Sequence, residues 1–160
     1  MTKEEKELVI IDLSGRLKHG VKLDFYARAT RQHYVCTLLG IEPDGDRPII
    51  AKTDDGAFTF TQDHVKPYLR KMSSMTEEEK QELERLIDEK LNGNTDQEDD
   101  EWTPWVLHDT TGIRNSVGGE RFYFDEMSFI YDWLNAHHFD YRGLIEKGLA
   151  LEAPEGMYKF

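Results

Sequence analysis

The stretch VKLDFYARATRQHYVCTLLGIEPDGDRPIIAKTDDGAFTF, residues 21–60, decides the fold. It is rich in β-branched and aromatic residues and is broken by Asp44-Gly45 and Asp55-Gly56, dipeptides that favour the tight turns of hairpins. Four strands are predicted, at residues 21–27, 34–41, 48–52 and 57–61. Connections this short join antiparallel neighbours, so the expected product is a small curled meander, of which an SH3-like partial barrel is one form. Alternation sends Val21, Leu23 and Phe25 to one face and Lys22, Asp24 and Tyr26 to the other.

Upstream, Thr2-Lys3-Glu4-Glu5 is a capping box, in which the Thr2 hydroxyl accepts from the Glu5 amide and the Glu5 carboxylate accepts from the Thr2 amide. Ile10, Leu13 and Leu17 follow at helical spacing and Gly20 supplies a stop, so a helix over residues 3–18 is expected to close the meander. Downstream, residues 62–69 read as a helical turn whose length Pro67 limits. A second capping box, Thr76-Glu77-Glu78-Glu79, precedes the stripe Leu83, Leu86, Ile87, Leu91, which predicts an amphipathic helix over residues 76–91. Residues 92–101 hold five acids and no apolar side chain, the composition of a solvated linker. Beyond it, the aromatic runs at 102–107 and 121–124 fit a hairpin across a Gly-rich turn. Asp125 can cap a helix carrying Met127, Phe129, Ile130, Trp133 and Leu134. A last short helix at 141–147, capped by Asp140 through the amide of Arg142 or Gly143 and ended by Gly148, completes the chain. The expected architecture is α+β in three parts: helix plus four-stranded antiparallel meander (1–72), connecting helix and acidic linker (73–101), and a small hairpin-plus-helices α+β module (102–160).

The 160 residues are 38% hydrophobic and 32% charged, the composition of a globular protein with a highly charged surface. The longest apolar run, residues 8–11, is far short of the roughly 18 to 20 needed to cross a bilayer, and residues 3–7 are all charged, so neither a span nor a secretory leader is expected. Cys36 is the only cysteine, which rules out an intramolecular disulfide and any cysteine-rich zinc site and points to the reducing cytoplasm. The net charge of −12 is uneven: residues 1–75 carry +1, residues 76–101 carry −9 and residues 102–160 carry −4. The N-terminal part is therefore free of any general repulsion from nucleic acid.

Three segments together look familiar: VKPYLR (65–70), MSSMTEEEK (72–80) and WLNAHHFDYRGLI (133–145), with Asp12-Leu13, Arg16-Leu17 and Gly20-Val21-Lys22 near the start. The combination resembles small proteins encoded by phages and mobile elements of gut bacteria, over most of the chain except residues 92–122. The resemblance implies a phage- or mobile-element-type protein and carries over no activity, cofactor or catalytic residue.

Candidate chemistry is sparse. Cys36 reads as a half-buried strand position with no motif of a nucleophile around it. His137 and His138 are adjacent, so on a helix they diverge by about 100° and cannot chelate one metal as an i, i+4 pair does. They fit a helix C-terminus, where histidine interacts favourably with the dipole. No phosphate-loop, dinucleotide, HExxH or GxSxG pattern is present, and neither a metal nor another cofactor is expected. The basic run Arg16, Lys18, Lys22, Arg28, Arg31, interleaved with His19, Phe25, Tyr26, His33 and Tyr34, supplies charge for phosphates and rings for stacking, but alternation divides these residues between two faces and a solvated outer face explains them. The acidic stretch 77–101 ends in a linker, unlike the rigid carboxylate array that mimicry of DNA demands. The expectation is a non-enzymatic protein-interaction module that docks a host or phage protein through Leu83 and Leu86 of the connecting helix or through Trp102 and Trp105. The alternative is a nucleic-acid accessory protein using the basic run.

Overall fold

The computed structural model describes residues 1–27, 29–92, 105–109, 112–115 and 128–158, with side chains from 1–27, 29–90 and 128–158. The fold is α+β. Helix α1 (Lys3–Gly15) begins at the expected capping box, with Glu5 N donating to Thr2 Oγ1 at 3.2 Å and Thr2 N donating to Glu5 Oε2 at 2.7 Å. It ends earlier than residue 18, because the bonds of Arg16 N to Leu13 O and His19 N to Arg16 O tighten the chain into a 3-10 turn (Leu17–His19). Gly20 then turns the chain at φ 65°, a conformation that favours glycine.

The sheet is larger than the four strands expected. Strands β1 (Lys22–Ala27), β2 (Gln32–Ile41), β3 (Ile49–Thr53) and β4 (Gly56–Phe60) pair antiparallel in sequence order. The segment expected to hold a helical turn contains one, a 3-10 turn at Gln62–His64, and its remainder is β5 (Val65–Leu69), which pairs antiparallel with β1. Pro67, taken as a helix limit, sits within β5. It lies opposite Leu23 of β1, and on the other side of β5 pairing starts only at Tyr68, with the parallel strand β8 (Leu151–Glu152). The six-stranded mixed sheet therefore has the order β4-β3-β2-β1-β5-β8. A register shift between Leu38 and Gly40 leaves Leu39 as an extra residue on β2, which explains its 51% exposure.

Residues that face one another across strands share a face. The inward rows, Leu23 with Cys36, Leu38 with Ala51, and Ile49 with Phe60, are all buried, and Val9 and Leu13 of α1 close over them. Leu144, Leu149 and Ala150 belong to the same core. One compact unit thus comprises residues 1–71 together with 134–160, and a second comprises residues 72–133. The expected 102–160 module is accordingly divided, because tertiary contacts draw its last 27 residues into the sheet domain. The division also separates charge: the first unit carries 15 basic and 15 acidic side chains, the second 5 and 17.

In the second unit, α2 (Glu77–Asn92) starts at its capping box, with Glu79 N donating to Thr76 Oγ1 and Thr76 N to Glu79 Oε2, and it buries Leu83 and Ile87. β6 (Trp105–Asp109) pairs antiparallel with β7 (Gly112–Asn115); the 121–124 run of the expected hairpin lies outside the described residues, as does the proposed linker from residue 93 onward. Helix α3 (Ser128–Ala136) follows, and residues 141–149 form successive turns rather than a last helix. No helix among the described residues is long and apolar enough to cross a membrane.

Candidate binding groove

The inward face of the sheet changes character toward the β1–β2 hairpin. Where α1 covers it, the side chains are aliphatic. At the far end they are aromatic: Phe25 sits opposite Tyr34, and Phe58 and Phe60 occupy the same face of β4. The sheet curls until the Phe25 and Phe60 rings meet at 4.6 Å, although β1 and β4 are not neighbours in the sheet. Between them lies a groove of about 520 Å³ lined by Phe25, Tyr26, Tyr34, Phe58 and Phe60, with Arg47, Asp55 and His64 among its polar residues. Tyr26, Tyr34 and Phe58 are 40%, 41% and 48% exposed. The Tyr34 hydroxyl donates to Gln32 Oε1 at 2.9 Å, and Thr61 Oγ1 lies 3.1 Å from His64 Nδ1, so the rings are held in place by local bonds.

The lining is more apolar than polar, with aromatic side chains prominent in it. The rings of Phe25, Tyr34, Phe58 and Phe60 offer flat surface with little side-chain entropy to lose, and a groove of this volume is of the size that receives ligands.

The basic run disperses. Arg16 is fully buried: Nε donates to Asp12 Oδ2 at 2.7 Å, Nη2 to Asp12 Oδ1 at 3.0 Å and to Phe139 O at 2.8 Å. Its place in a nucleic-acid face is overturned, since its i, i+4 spacing from Asp12 makes the two an internal ion pair. Lys22 is half-buried and donates from Nζ to Thr37 Oγ1 at 2.8 Å. Lys18 and Arg31 are exposed, Arg31 at the hairpin turn with φ 58°. Arg28 and Trp102 lie outside the described residues, and Trp105 falls on β6. Leu83 is fully buried, so it is core and not a docking residue, whereas Leu86 is half-buried.

The His137–Arg142 cluster forms a polar junction in the first unit. Asp140 accepts from Leu144 N and Ile145 N, both at 2.8 Å, two residues further on than the sequence suggested. Arg142 Nε lies 3.5 Å from Asp12 Oδ1, and the guanidinium groups of Arg16 and Arg142 sit over the Tyr141 ring at 5.6 and 4.9 Å. His138 is buried in a left-handed conformation (φ 58°) and stacks on Tyr158 at 3.7 Å. Burial, then the nearby Arg16, pushes its imidazole down to about 3, so it is neutral across the physiological range and unsuited to proton transfer there. Tyr158 Oη accepts from Lys22 N at 2.9 Å and donates to Tyr68 O at 2.8 Å, a side-chain rung between β1 and β5, and burial pushes the phenol up to about 12. Cys36 is fully buried rather than half-buried, and burial, reinforced by Asp24, raises its thiol to about 11, away from any nucleophilic role. Among the described residues, no three His, Cys, Asp or Glu side chains group as a metal site would require.

Comparison with protein-family models, curated proteins and solved structures returns no match.

Proposed function

We propose that the chain is a non-enzymatic protein-interaction module of the phage or mobile-element type, and that it binds a segment of a host or phage protein in the aromatic groove of an SH3-like curled sheet. The reading rests on one observation, the rings of Phe25, Tyr34, Phe58 and Phe60 sharing one face around a 520 Å³ groove whose lining also holds Arg47 and Asp55. An extended segment carrying apolar side chains matches that lining. Selection of octapeptides from a random display library against the whole chain tests it. The expected result is a set of peptides whose affinity falls at least about tenfold in Tyr34→Ala/Phe58→Ala, the loss of two ring contacts. Val35→Ala, on the outer face and 54% exposed, serves as the control and leaves binding unchanged. Selected peptides that bind the groove variant and the parent chain equally would sink the proposal.

A second reading has its own support. On the outer face, Lys22 lies in a cross-strand row with Thr37 and Lys52, and Lys66 sits beside Asp24. Asp24, the carboxylate on the central strand, already accepts from His33 Nδ1 at 2.8 Å and from Tyr68 Oη at 3.3 Å. Exposed Tyr26 and His33 form a ring pair at 4.9 Å on this basic face, which suits single-stranded nucleic acid. Titration with an oligothymidylate in 50 and 200 mM salt separates the two readings, because phosphate contacts weaken steeply with salt and apolar contacts do not.

A further inference from the structure

Strands β1 to β5 contain a single acidic residue, Asp24, and three lysines, Lys22, Lys52 and Lys66, all on the outer face. None of the three lysines is in an ion pair among the described residues. Asp24 lies opposite Val35 of β2 and Lys66 of β5, and its side chain is only 8% exposed. It holds the neighbouring His33: Nδ1 lies 2.9 and 2.8 Å from the two carboxylate oxygens, and the Tyr68 hydroxyl donates to Oδ1 at 3.3 Å.

A carboxylate only accepts, so the ring proton of His33 sits on Nδ1, and in the neutral imidazole Nε2 is then an acceptor. The side chain is 64% exposed and makes no other hydrogen bond among the described residues, so this acceptor is presented to solvent. The Tyr26 ring, 40% exposed, lies 4.9 Å from that of His33 and offers a surface for a base. Lysines suit phosphate oxygens, which only accept. An acceptor set among lysines needs a donor on the same ligand. The DNA backbone has none, whereas RNA carries one on every nucleotide, the ribose 2′-hydroxyl.

We propose that this face takes single-stranded RNA in preference to DNA, with His33 Nε2 accepting from a ribose 2′-hydroxyl. The inference rests on the second reading above, in which the basic face binds nucleic acid. His33 is the recognising residue, and Asp24 is a positioning residue that fixes its tautomer.

Binding of the whole chain to decauridylate and to its 2′-deoxy and 2′-fluoro analogues, at about pH 8 and about 50 mM salt, tests it. The fluoro sugar keeps the pucker of ribose but cannot donate. One hydrogen bond is worth a factor of about 2 to 10, so the ribo strand should bind that much more tightly than either analogue. His33→Phe keeps a ring beside Tyr26 and should bring the affinities together by weakening the ribo strand alone. Asp24→Asn leaves the imidazole in place but lets its proton move to Nε2, and should lower the same preference. A fluoro strand bound as tightly as the ribo strand, or a ribo preference that survives in His33→Phe, overturns the 2′-hydroxyl contact while leaving the face as a nucleic-acid site. An unchanged preference in Asp24→Asn overturns the positioning role. Failure of all the strands to bind overturns the second reading and this inference together.

Discussion

Replacing Arg16 by methionine should unfold the sheet domain far more readily while leaving any nucleic-acid affinity of a still-folded fraction untouched. The side chain has no solvent exposure and makes three hydrogen bonds, two to Asp12 and one to Phe139 O. Its loss leaves the Asp12 carboxylate buried with Arg142 Nε at 3.5 Å as its nearest remaining cation. Removing one member of a buried ion pair costs about 3–5 kcal/mol, because the other charge stays desolvated. Replacing both members, as Asp12→Leu/Arg16→Met, removes that uncompensated charge and should recover most of the loss, less about 1–3 kcal/mol for the orphaned Phe139 carbonyl. Urea titration of the parent, the single variants Arg16→Met and Asp12→Leu, and the double variant, followed by circular dichroism and compared at unchanged slope, gives the cycle. A single Arg16→Met variant within about 1 kcal/mol of the parent would refute the reasoning, as would a double variant less stable than the single.

Three further outcomes follow from the polar junction. His138 is held neutral in the fold, whereas the unfolded chain takes up a proton below about 6.5, so stability should fall by up to ~1.4 kcal/mol per pH unit from there down to about pH 3. His138→Asn, which tolerates the left-handed backbone, should flatten that slope in acid titrations, and an unchanged slope would assign the acid sensitivity elsewhere. Tyr158→Phe keeps the stacked ring but removes the rung between Lys22 N and Tyr68 O, and should cost about 1–3 kcal/mol in thermal or urea unfolding; a neutral substitution would show the rung to be incidental. Asp140→Ala loses two backbone-to-carboxylate bonds at 2.8 Å and should destabilise by about 2 kcal/mol, with faster hydrogen exchange at Leu144 and Ile145 as the local signature. Exchange at those two amides no faster than in the parent would contradict the capping role.

Local chemistry accounts for what could be read directly. Both capping boxes lie within four residues of chain, so Thr2 with Glu5 and Thr76 with Glu79 specify their helix starts without help from the rest of the molecule. The turn signals and the alternation of residues 21–60 likewise locate β1 to β4, because turn propensity and the period of two are properties of short segments, although the β3–β4 turn is Asp54-Asp55 and Gly56 opens β4 opposite Thr53. Tertiary structure decided what those segments meet. Val65–Leu69 contains a proline and reads poorly as a strand; it becomes one because β1 offers it a partner and because pairing on its other side starts only after Pro67. Arg16 looked like surface charge, and only the arrival of Phe139, Tyr141 and Arg142, more than 120 residues away in sequence, buries it. The groove was equally hidden: Phe25, Tyr34, Phe58 and Phe60 come from three strands, and no spacing along the chain encodes the curl that brings their rings together. Sequence specifies interactions within a few residues, whereas ion pairs, seams and grooves depend on which distant faces the core brings into contact.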